Sequence, residues 1–126
     1  MQITFLAETL ADLALPPASL VLGAPSPLQF GDFAERLPDC PVVWESTLPD
    51  SAAPEFLGFL KNQGVDGIET AHEEVTDEAI ATAHREGLFF WTYAINDAPG
   101  ARAMVKRGVD GMECDDPAAI VDALAP

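Results

Sequence analysis

Positive charge is scarce in this sequence. Of its 126 residues only six are Lys or Arg, against 21 Asp or Glu, and the formal net charge is −15. A surface of that sign repels nucleic acid and anionic membranes, so we expect neither class of partner. The sequence leaves two explanations of the acidity open: solubility, with adaptation to salt as one form of it, or cation binding.

Cysteines and long apolar runs are also scarce. The two cysteines, Cys40 and Cys114, follow no metal-binding or redox spacing. No apolar run is long enough for a signal peptide or a membrane helix. We therefore expect a cytoplasmic protein in a reducing compartment.

Common catalytic motifs are missing from the sequence as well. It contains no Gly-rich phosphate loop, no Ser-His-Asp order and no zinc-ligand spacing. Its two histidines are His72 and His84. We interpret His84 as a structural residue on the packed side of a helix. His72 follows Glu69 in a loop and could reach the strand ends, but no nucleophile or basic residue accompanies it, so we predict no catalytic residue.

The chain has enough apolar residues to form a hydrophobic core, and its predicted strands and helices alternate clearly. Apolar residues make up 48% of it, and the length suits one domain spanning residues 1–126. The pattern is clearest in three consecutive segments: a buried strand at Leu88–Ile95, a helix at Ala98–Arg107 that ends at Gly108, and a strand at Val109–Cys114. A helix between two such strands implies parallel pairing through a right-handed crossover.

The same alternation continues upstream and predicts an α/β protein. Strands are predicted at Ser19–Gly23, Pro41–Glu45 and Val65–Glu69, with a weaker one at Met1–Leu6. Helices are predicted at Phe5–Leu15, Leu28–Leu37, Pro54–Gln63, Thr76–Gly87 and Pro117–Leu124. Two echoes, GVDGIET from Gly64 and GVDGMEC from Gly108, each place a helix-ending glycine before a strand that finishes in a carboxylate. Repeated local geometry explains them without any appeal to function.

Several segments resemble the glycerophosphodiester phosphodiesterase family. That family carries Gly-Leu, Trp-Thr-Val-Asn, Gly-Val-Asp-Gly-Ile and Thr-Asp-Arg-Pro along its last two strands. The corresponding segments here are GL at 87–88, YAIN at 93–96, GVDGM at 108–112 and CDDP at 114–117. The similarity extends to three further segments: the residues that lead into a strand at 15–20, the turn at 38–39 and the helix from 75 to 88. The resemblance covers nearly the whole chain and points to the C-terminal half of the family's barrel.

The resemblance implies a partial (β/α)₈ TIM-like barrel with five to six parallel strands and helices on the outer face. Members of the family use a divalent metal to hydrolyse glycerophosphodiesters to glycerol 3-phosphate and an alcohol. Their His-Arg-Gly segment, Glu-x-Asp pair and His-Asp pair have no counterpart here. Thr4 and Leu6 stand where the Glu-x-Lys strand carries its charged residues, Gly23-Ala24 replaces Ser-Phe, and Asp116 replaces the last arginine. The family implies Mg²⁺ or Ca²⁺ as a cofactor, but this sequence establishes none.

Acidic residues gather where the predicted strands end, which is where barrel enzymes place their active sites. They are Glu45, Glu69 and Glu113, with Asp97 and Asp115 close by. Two interpretations stay open: the acids face water and add to the overall charge, or Glu45, Glu69, Glu113 and Asp115 form a Mg²⁺ or Ca²⁺ site.

Three further residues are candidates for a pocket at the same edge: Tyr93, Asn96 and His72. Tyr93 occupies the family's Trp position, and packing in the core is an equal alternative for it.

Five or six strands cannot close a barrel, so we expect an uncovered apolar inner face. A second copy, the N-terminal segment or a separate partner could cover it, and we predict a homodimer. The predicted function is that of a truncated, non-catalytic relative of the phosphodiesterases that acts as a binding or interaction module. The alternatives are a metal-dependent phosphoric diester hydrolase, completed by a partner or belonging to a longer enzyme, and a divalent-cation-binding acidic protein.

Overall fold

Strands and helices alternate along the chain, as the sequence predicts. The computed structural model describes residues 9, 12–16, 20–24, 30–45 and 53–126. The strands are β1 (Leu22–Ala24), β2 (Val42–Glu45), β3 (Gly67–Ala71), β4 (Phe89–Tyr93) and β5 (Gly111–Met112). The helices are α1 (Phe30–Arg36), α2 (Pro54–Asn62), α3 (Asp77–Arg85), α4 (Ala98–Arg107) and α5 (Pro117–Leu124), and a 3₁₀ turn covers His72–Glu74.

The N-terminal predictions are only partly covered by these residues. The predicted strand Met1–Leu6 lies outside the described residues. Within the predicted helix Phe5–Leu15, the described positions Thr9, Asp12 and Leu13 are helical.

The five strands form one sheet in which each pairs parallel with the next in chain order. Every connection that the structure describes in full contains a helix, and the helices cover one side of the sheet. The predicted partial barrel with an outer layer of helices is therefore confirmed. Parallel pairing also brings the carboxyl ends of all five strands to one edge, which is the edge that carries the acidic residues.

Two strands differ from their predicted bounds. β3 starts two residues later than predicted, because the Val65 amide still bonds the Leu60 carbonyl in the turn after α2 (3.1 Å). Glu69 is consequently the middle residue of β3 and not its last. β5 keeps only two of its six predicted residues. The pairing beyond Met112 continues irregularly, with the Glu113 amide donating to the Thr92 carbonyl at 2.9 Å.

The two sequence echoes adopt the same local structure. Gly64 and Gly108 have φ of +88° and +96°, a conformation that glycine adopts without steric cost. The Asp66 carboxylate accepts the Val42 amide at 2.9 Å, and the Asp66 amide donates to the Val42 carbonyl at 2.8 Å. Asp110 makes the same pair of bonds with Phe90, at 2.8 and 2.9 Å. Repeated geometry therefore accounts for the echoes.

The core lies between the sheet and the helices. Alternate strand residues point into it, and its main members are Leu22, Val42, Leu57, Leu60, Ile68, Ala79, Ile80, Phe90, Ala101 and Met104. Two threonines of the same face, Thr70 and Thr92, are fully buried, and the Thr92 hydroxyl donates to the Thr70 carbonyl at 3.0 Å. The sheet is therefore held on its outer side by apolar contacts and by satisfied polar groups.

The opposite side of the sheet, here called the inner face, carries Gly23, Val43, Glu45, Gly67, Glu69, Ala71, Phe89, Trp91, Tyr93, Gly111 and Glu113. The sequence predicts an uncovered apolar face, and this one contains fewer aliphatic residues than that. Val43 is its one branched aliphatic residue among those described, and Val43 is only 1% exposed. The other branched aliphatic strand residues point to the helices, because strand alternation assigns glycine, glutamate and aromatic residues to the inner face.

No helix within the described part of the chain is long and apolar enough to cross a membrane.

Candidate functional site

Three glutamates meet at the carboxyl edge of the inner face. Glu45 ends β2 and pairs in register with Glu69 of β3. Glu113 follows β5, two strands away from β3. Strand alternation directs all three side chains to the side of the sheet that the helices do not cover.

Glu69 is the buried member of this group. It is 4% exposed, whereas Glu45 and Glu113 are exposed. Burial raises the pKa of Glu69 to about 7, with the negative charges of Glu113 and Glu45 and a side-chain hydrogen bond with Glu113 acting in the same direction. All of these influences disfavour the ionised form. The interpretation that these acidic residues face water is therefore wrong for Glu69, and it agrees with the exposure of Glu45 and Glu113.

Burial and the two neighbouring carboxylates together favour the protonated form of Glu69. The Oε1 atom of Glu69 is buried and, among the described residues, has no hydrogen-bond partner. A buried polar atom without a partner is costly, so the site contains an acceptor that a suitable donor would satisfy.

Gly23 makes room for the third glutamate. A Cβ at this position would stand 2.9 Å from the Glu45 Oε1 atom. The missing side chain therefore lets the Glu45 carboxylate lie against β1. In the family that the sequence resembles, the bulkier Ser-Phe stands at this strand end.

Aromatic residues of β4 fill the middle of the inner face. A Cβ at Gly67 would collide with the Phe89 ring, and a Cβ at Gly111 would collide with the Trp91 indole. The Phe89 and Trp91 ring centroids are 5.7 Å apart. The two rings thus lie across glycines of the neighbouring strands and cover backbone that has no side chain of its own. Trp91 pairs in register with Glu69, which places an aromatic surface beside the buried carboxyl group.

Tyr93 lies next to this group, as a pocket candidate should. It is half-buried on the inner face, and burial, followed by the negative charges of Glu69 and Glu45, raises the pKa of its phenol. Its position on the face opposite the helix-packed core favours the pocket interpretation over core packing.

The other predicted pocket residues are held by neighbours. The His72 Nδ1 atom is 3.3 Å from the Tyr93 carbonyl oxygen, and its Nε2 atom is 3.4 Å from a Glu73 carboxylate oxygen. Asn96 binds Asp115 twice: its amide donates to the Asp115 carboxylate at 2.8 Å, and its carbonyl accepts the Asp115 amide at 2.8 Å. Asp115 is therefore engaged with Asn96.

The described side chains, as they stand, do not form a divalent-metal site. Within the described residues, no three His, Cys, Asp or Glu side chains come together as a set that could hold an ion. Glu45 and Glu113 act on Glu69 through their charge, while Asp115 is bound to Asn96. A hard divalent cation needs several oxygens converging at short range, and this donor set does not fit one.

Positive charge lies at the other end of the fold. Five of the six Lys and Arg residues occupy the last turn of a helix: Arg36, Lys61, Arg85, Lys106 and Arg107. Helices run against the strands, so such turns point toward the strand starts, where cations favour the helix dipole. Arg107 extends to the start of α3, where it donates to the Asp77 carboxylate at 2.7 Å and to the Val75 carbonyl at 2.8 Å. The sixth, Arg102, donates to the Ala123 carbonyl at 2.7 Å. Among the ion pairs of the described residues, none joins a Lys or Arg to Glu45, Glu69 or Glu113.

His84 lies near the strand starts, at the end of the fold opposite the three glutamates. It is exposed, contrary to the packed position predicted for it, and its Nε2 atom lies 2.7 Å from the Asp110 carboxylate. A shallow pocket there is lined by His84, Gly87, Leu88, Phe89 and Asp110. Since barrel active sites lie at the carboxyl ends of the strands, this pocket is on the wrong side for family-type chemistry.

Sequence reasoning missed the role of Trp91 and of the glycines beneath the aromatic rings. Trp91 is two residues before Tyr93, and residues two apart share a strand face. The reasoning that identified Tyr93 as a pocket candidate could therefore also have identified Trp91. No sequence signal shows which glycine a ring on the next strand will cover.

Solved structures give the decisive comparison, because no family model and no curated protein matches this sequence significantly. A protein from Silicibacter pomeroyi, assigned as a glycerophosphoryl diester phosphodiesterase, matches with a TM-score of 0.65 and 25% identity over 82% of this chain and 36% of its own. An Agrobacterium tumefaciens protein with the same assignment matches with a TM-score of 0.80 and 11% identity over 95% and 49%. This chain is similar to part of a glycerophosphodiester phosphodiesterase.

A third match was solved with a bound product. An Oleispira antarctica phosphodiesterase, solved with the product sn-glycerol-3-phosphate, has a TM-score of 0.71 and 16% identity over 82% of this chain and 41% of its own. The phosphodiesterase-like chain thus spans less than half the length of each of these three proteins. The structural similarity supports the same fold over the matched part of this chain. The catalytic activity is that of the matched proteins.

Proposed function

We propose that this phosphodiesterase-like chain is a binding module that does not hydrolyse phosphodiesters by itself. The observation that carries the proposal is the charge at the carboxyl edge of the strands. Glu45, Glu69 and Glu113 face the position where a barrel enzyme of this fold would bind its substrate. All six Lys and Arg residues lie in helices, five of them in last turns.

Phosphodiester hydrolysis needs the opposite charge. The nonbridging oxygens of a phosphodiester gain negative charge in the transition state and are stabilised by metal ions, Arg or Lys. Burial and the negative charges of Glu113 and Glu45 instead raise the pKa of Glu69 to about 7, which favours its protonated form. A phosphate group brought to this edge would meet three carboxyl groups, so ground-state and transition-state binding would both be weak.

A release assay tests the proposal. The purified chain is incubated with glycerophosphocholine and Mg²⁺ or Ca²⁺, and glycerol 3-phosphate is measured against a protein-free blank. The expected result is no release above the blank. Release by the wild-type chain that is lost in Glu69→Gln would establish an enzyme and refute the proposal. Exposed Glu35 of α1 supplies a charge-matched control, Glu35→Gln.

The hydrolase alternative needs residues that the described part of this chain does not supply. A partner or a longer polypeptide would have to bring both the metal ligands and the positive charge. Mixing the chain with a candidate partner in the same assay distinguishes this alternative, because activity would then require both proteins.

Divalent-cation binding makes a different prediction. A cation that binds only the folded state raises the melting temperature in proportion to its occupancy. Because the donor set does not fit a metal ion, we expect Ca²⁺ to leave the melting temperature at the value seen with chelator and matched ionic strength. A rise that chelator reverses and that Glu69→Gln abolishes would support the cation-binding alternative instead.

A further inference from the structure

The strongest unexplained feature of the molecule is the unpartnered Oε1 atom of Glu69. The residue is 4% exposed, and this atom is buried without a hydrogen-bond partner in the described structure. Buried polar atoms normally have partners, because leaving one unpaired forfeits the interaction that water would supply. Its described neighbours on the inner face indicate what is missing, since they include two more carboxylates, Glu45 and Glu113, and the aromatic side chains of Trp91 and Tyr93.

We propose that the inner face binds a small primary alkylamine, with its ammonium group donating to Glu69 Oε1 between Glu113 and Glu45, and its alkyl part against Trp91 and Tyr93. The inference rests on the proposed function and gives the ligand class for the same edge. It uses the geometry of the site: one unpaired acceptor, two flanking carboxylates and an aromatic surface in register with Glu69.

The chemistry of the donors selects an ammonium group. An acceptor without a partner needs an N–H or O–H donor, and the flanking carboxylates favour a positively charged one. A primary ammonium carries three N–H donors on one charge and can therefore bond more than one carboxyl group. A quaternary ammonium has no N–H and would leave Glu69 Oε1 unpaired. A divalent metal needs a tighter set of ligands than the described residues form.

The aromatic residues select an alkyl substituent. Trp91 and Tyr93 are half-buried, so their rings retain surface that an apolar chain can cover. Trp91 is fixed across Gly111, because only a residue without a Cβ leaves room for the indole there. The aromatic wall is thus in place before a ligand arrives, which reduces the entropy lost on binding.

The experiment uses n-butylamine as the probe, with n-butanol as its neutral analogue and tetramethylammonium as a cation without N–H donors. Binding is followed at constant ionic strength by isothermal titration calorimetry and by the indole N–H resonance of Trp91, which Trp91→Phe identifies. We expect saturable butylamine binding at millimolar concentration, at least about tenfold weaker binding of the other two probes, and a shift of the Trp91 resonance.

Variants separate a built site from attraction to a highly negative protein. Glu69→Gln and Glu113→Gln should each weaken butylamine binding about tenfold or more, while Glu35→Gln, which removes the same charge elsewhere, should leave it unchanged. Circular dichroism confirms that each variant is folded, and having two site variants keeps the test valid if one is not.

Three results would overturn the inference: no saturable butylamine binding, equal binding of butylamine and tetramethylammonium, or equal losses in Glu69→Gln and Glu35→Gln. Saturable binding of sn-glycerol 3-phosphate with none of butylamine would also overturn it and would assign an anionic ligand. These outcomes are independent of the release assay. Absence of amine binding without hydrolysis refutes the ligand class alone, whereas hydrolysis refutes the proposed function.

Discussion

Glu69 of β3 and Glu113, just after β5, lie on the same face of the sheet with β4 between them, and burial together with the negative charge of Glu113 raises the pKa of Glu69 to about 7. Glu69 therefore holds a proton in a pH range where an ordinary glutamate is ionised. The fold thus brings two acidic residues that are 44 positions apart in sequence to one side of the sheet.

The first prediction concerns stability and pH. The pKa of Glu69 is raised from 4.5 to about 7 on folding, so between these pH values the folded state holds a proton that the unfolded state has released. The free energy of unfolding should therefore fall as pH rises through this window and should level off above it. The total fall due to Glu69 should be on the order of 2 kcal/mol. Urea unfolding at several pH values measures the fall.

Glu69→Gln isolates this contribution from that of the general negative charge. The variant cannot ionise at this position, so its stability should decrease less over the same pH range. It should exceed the wild type in stability above the window. Glu35→Gln should keep the wild-type slope, and equal slopes for the wild type and Glu69→Gln would show that Glu69 does not titrate as described.

A second prediction follows from the repeated aspartates. The Asp110 carboxylate accepts from the Phe90 amide at 2.8 Å and lies 2.7 Å from His84, and Asp66 plays the corresponding part for Val42. Asp66→Ala and Asp110→Ala should each lower the free energy of unfolding by about 1–3 kcal/mol, because each leaves a strand amide without its acceptor. Thermal melts with exposed Asp122→Ala as the control test this, and no loss in either variant would contradict it.

The order of the elements could be predicted from the sequence, whereas the arrangement of side chains on the inner face could not. Glycines at the helix ends and short apolar runs predicted the order of elements and the parallel sheet, because both signals are local. The face on which Glu69 lies was not predictable, since its neighbours Ile68 and Thr70 are also buried and the strand shows no alternation. The proximity of Glu69 and Glu113 depends on strand register, which no local pattern specifies.

Gly111 provides the third prediction. Its substitution Gly111→Ala places a Cβ where the Trp91 indole lies. The ring must move, and overpacking of this kind costs about 1–3 kcal/mol. Gly31→Ala is the matched control, because a Cβ at Gly31 meets nothing within 4 Å. We expect a lower melting temperature and a shifted Trp91 indole resonance for Gly111→Ala only; an unshifted resonance would mean that the ring does not occupy this position.

Self-association is the fourth prediction. The homodimer expected from the sequence stays a prediction; it would cover the half-buried aromatic residues Phe89, Trp91 and Tyr93, so butylamine bound at Trp91 and Tyr93 should shift the equilibrium toward the monomer. Sedimentation equilibrium should give twice the chain mass of 13.4 kDa at micromolar concentration. A folded species of 13.4 kDa under those conditions would show that the inner face needs no second copy.

The most direct test of the account is a carbon NMR titration of the Glu69 carboxyl group, because the account depends on an acidic group that no cation stabilises. We predict a midpoint at about pH 7 that moves toward lower pH when Glu113 is replaced by Gln. A midpoint near 4.5, the ordinary value for glutamate, would contradict the account, since it would mean that Glu69 is solvated or paired with a positive charge.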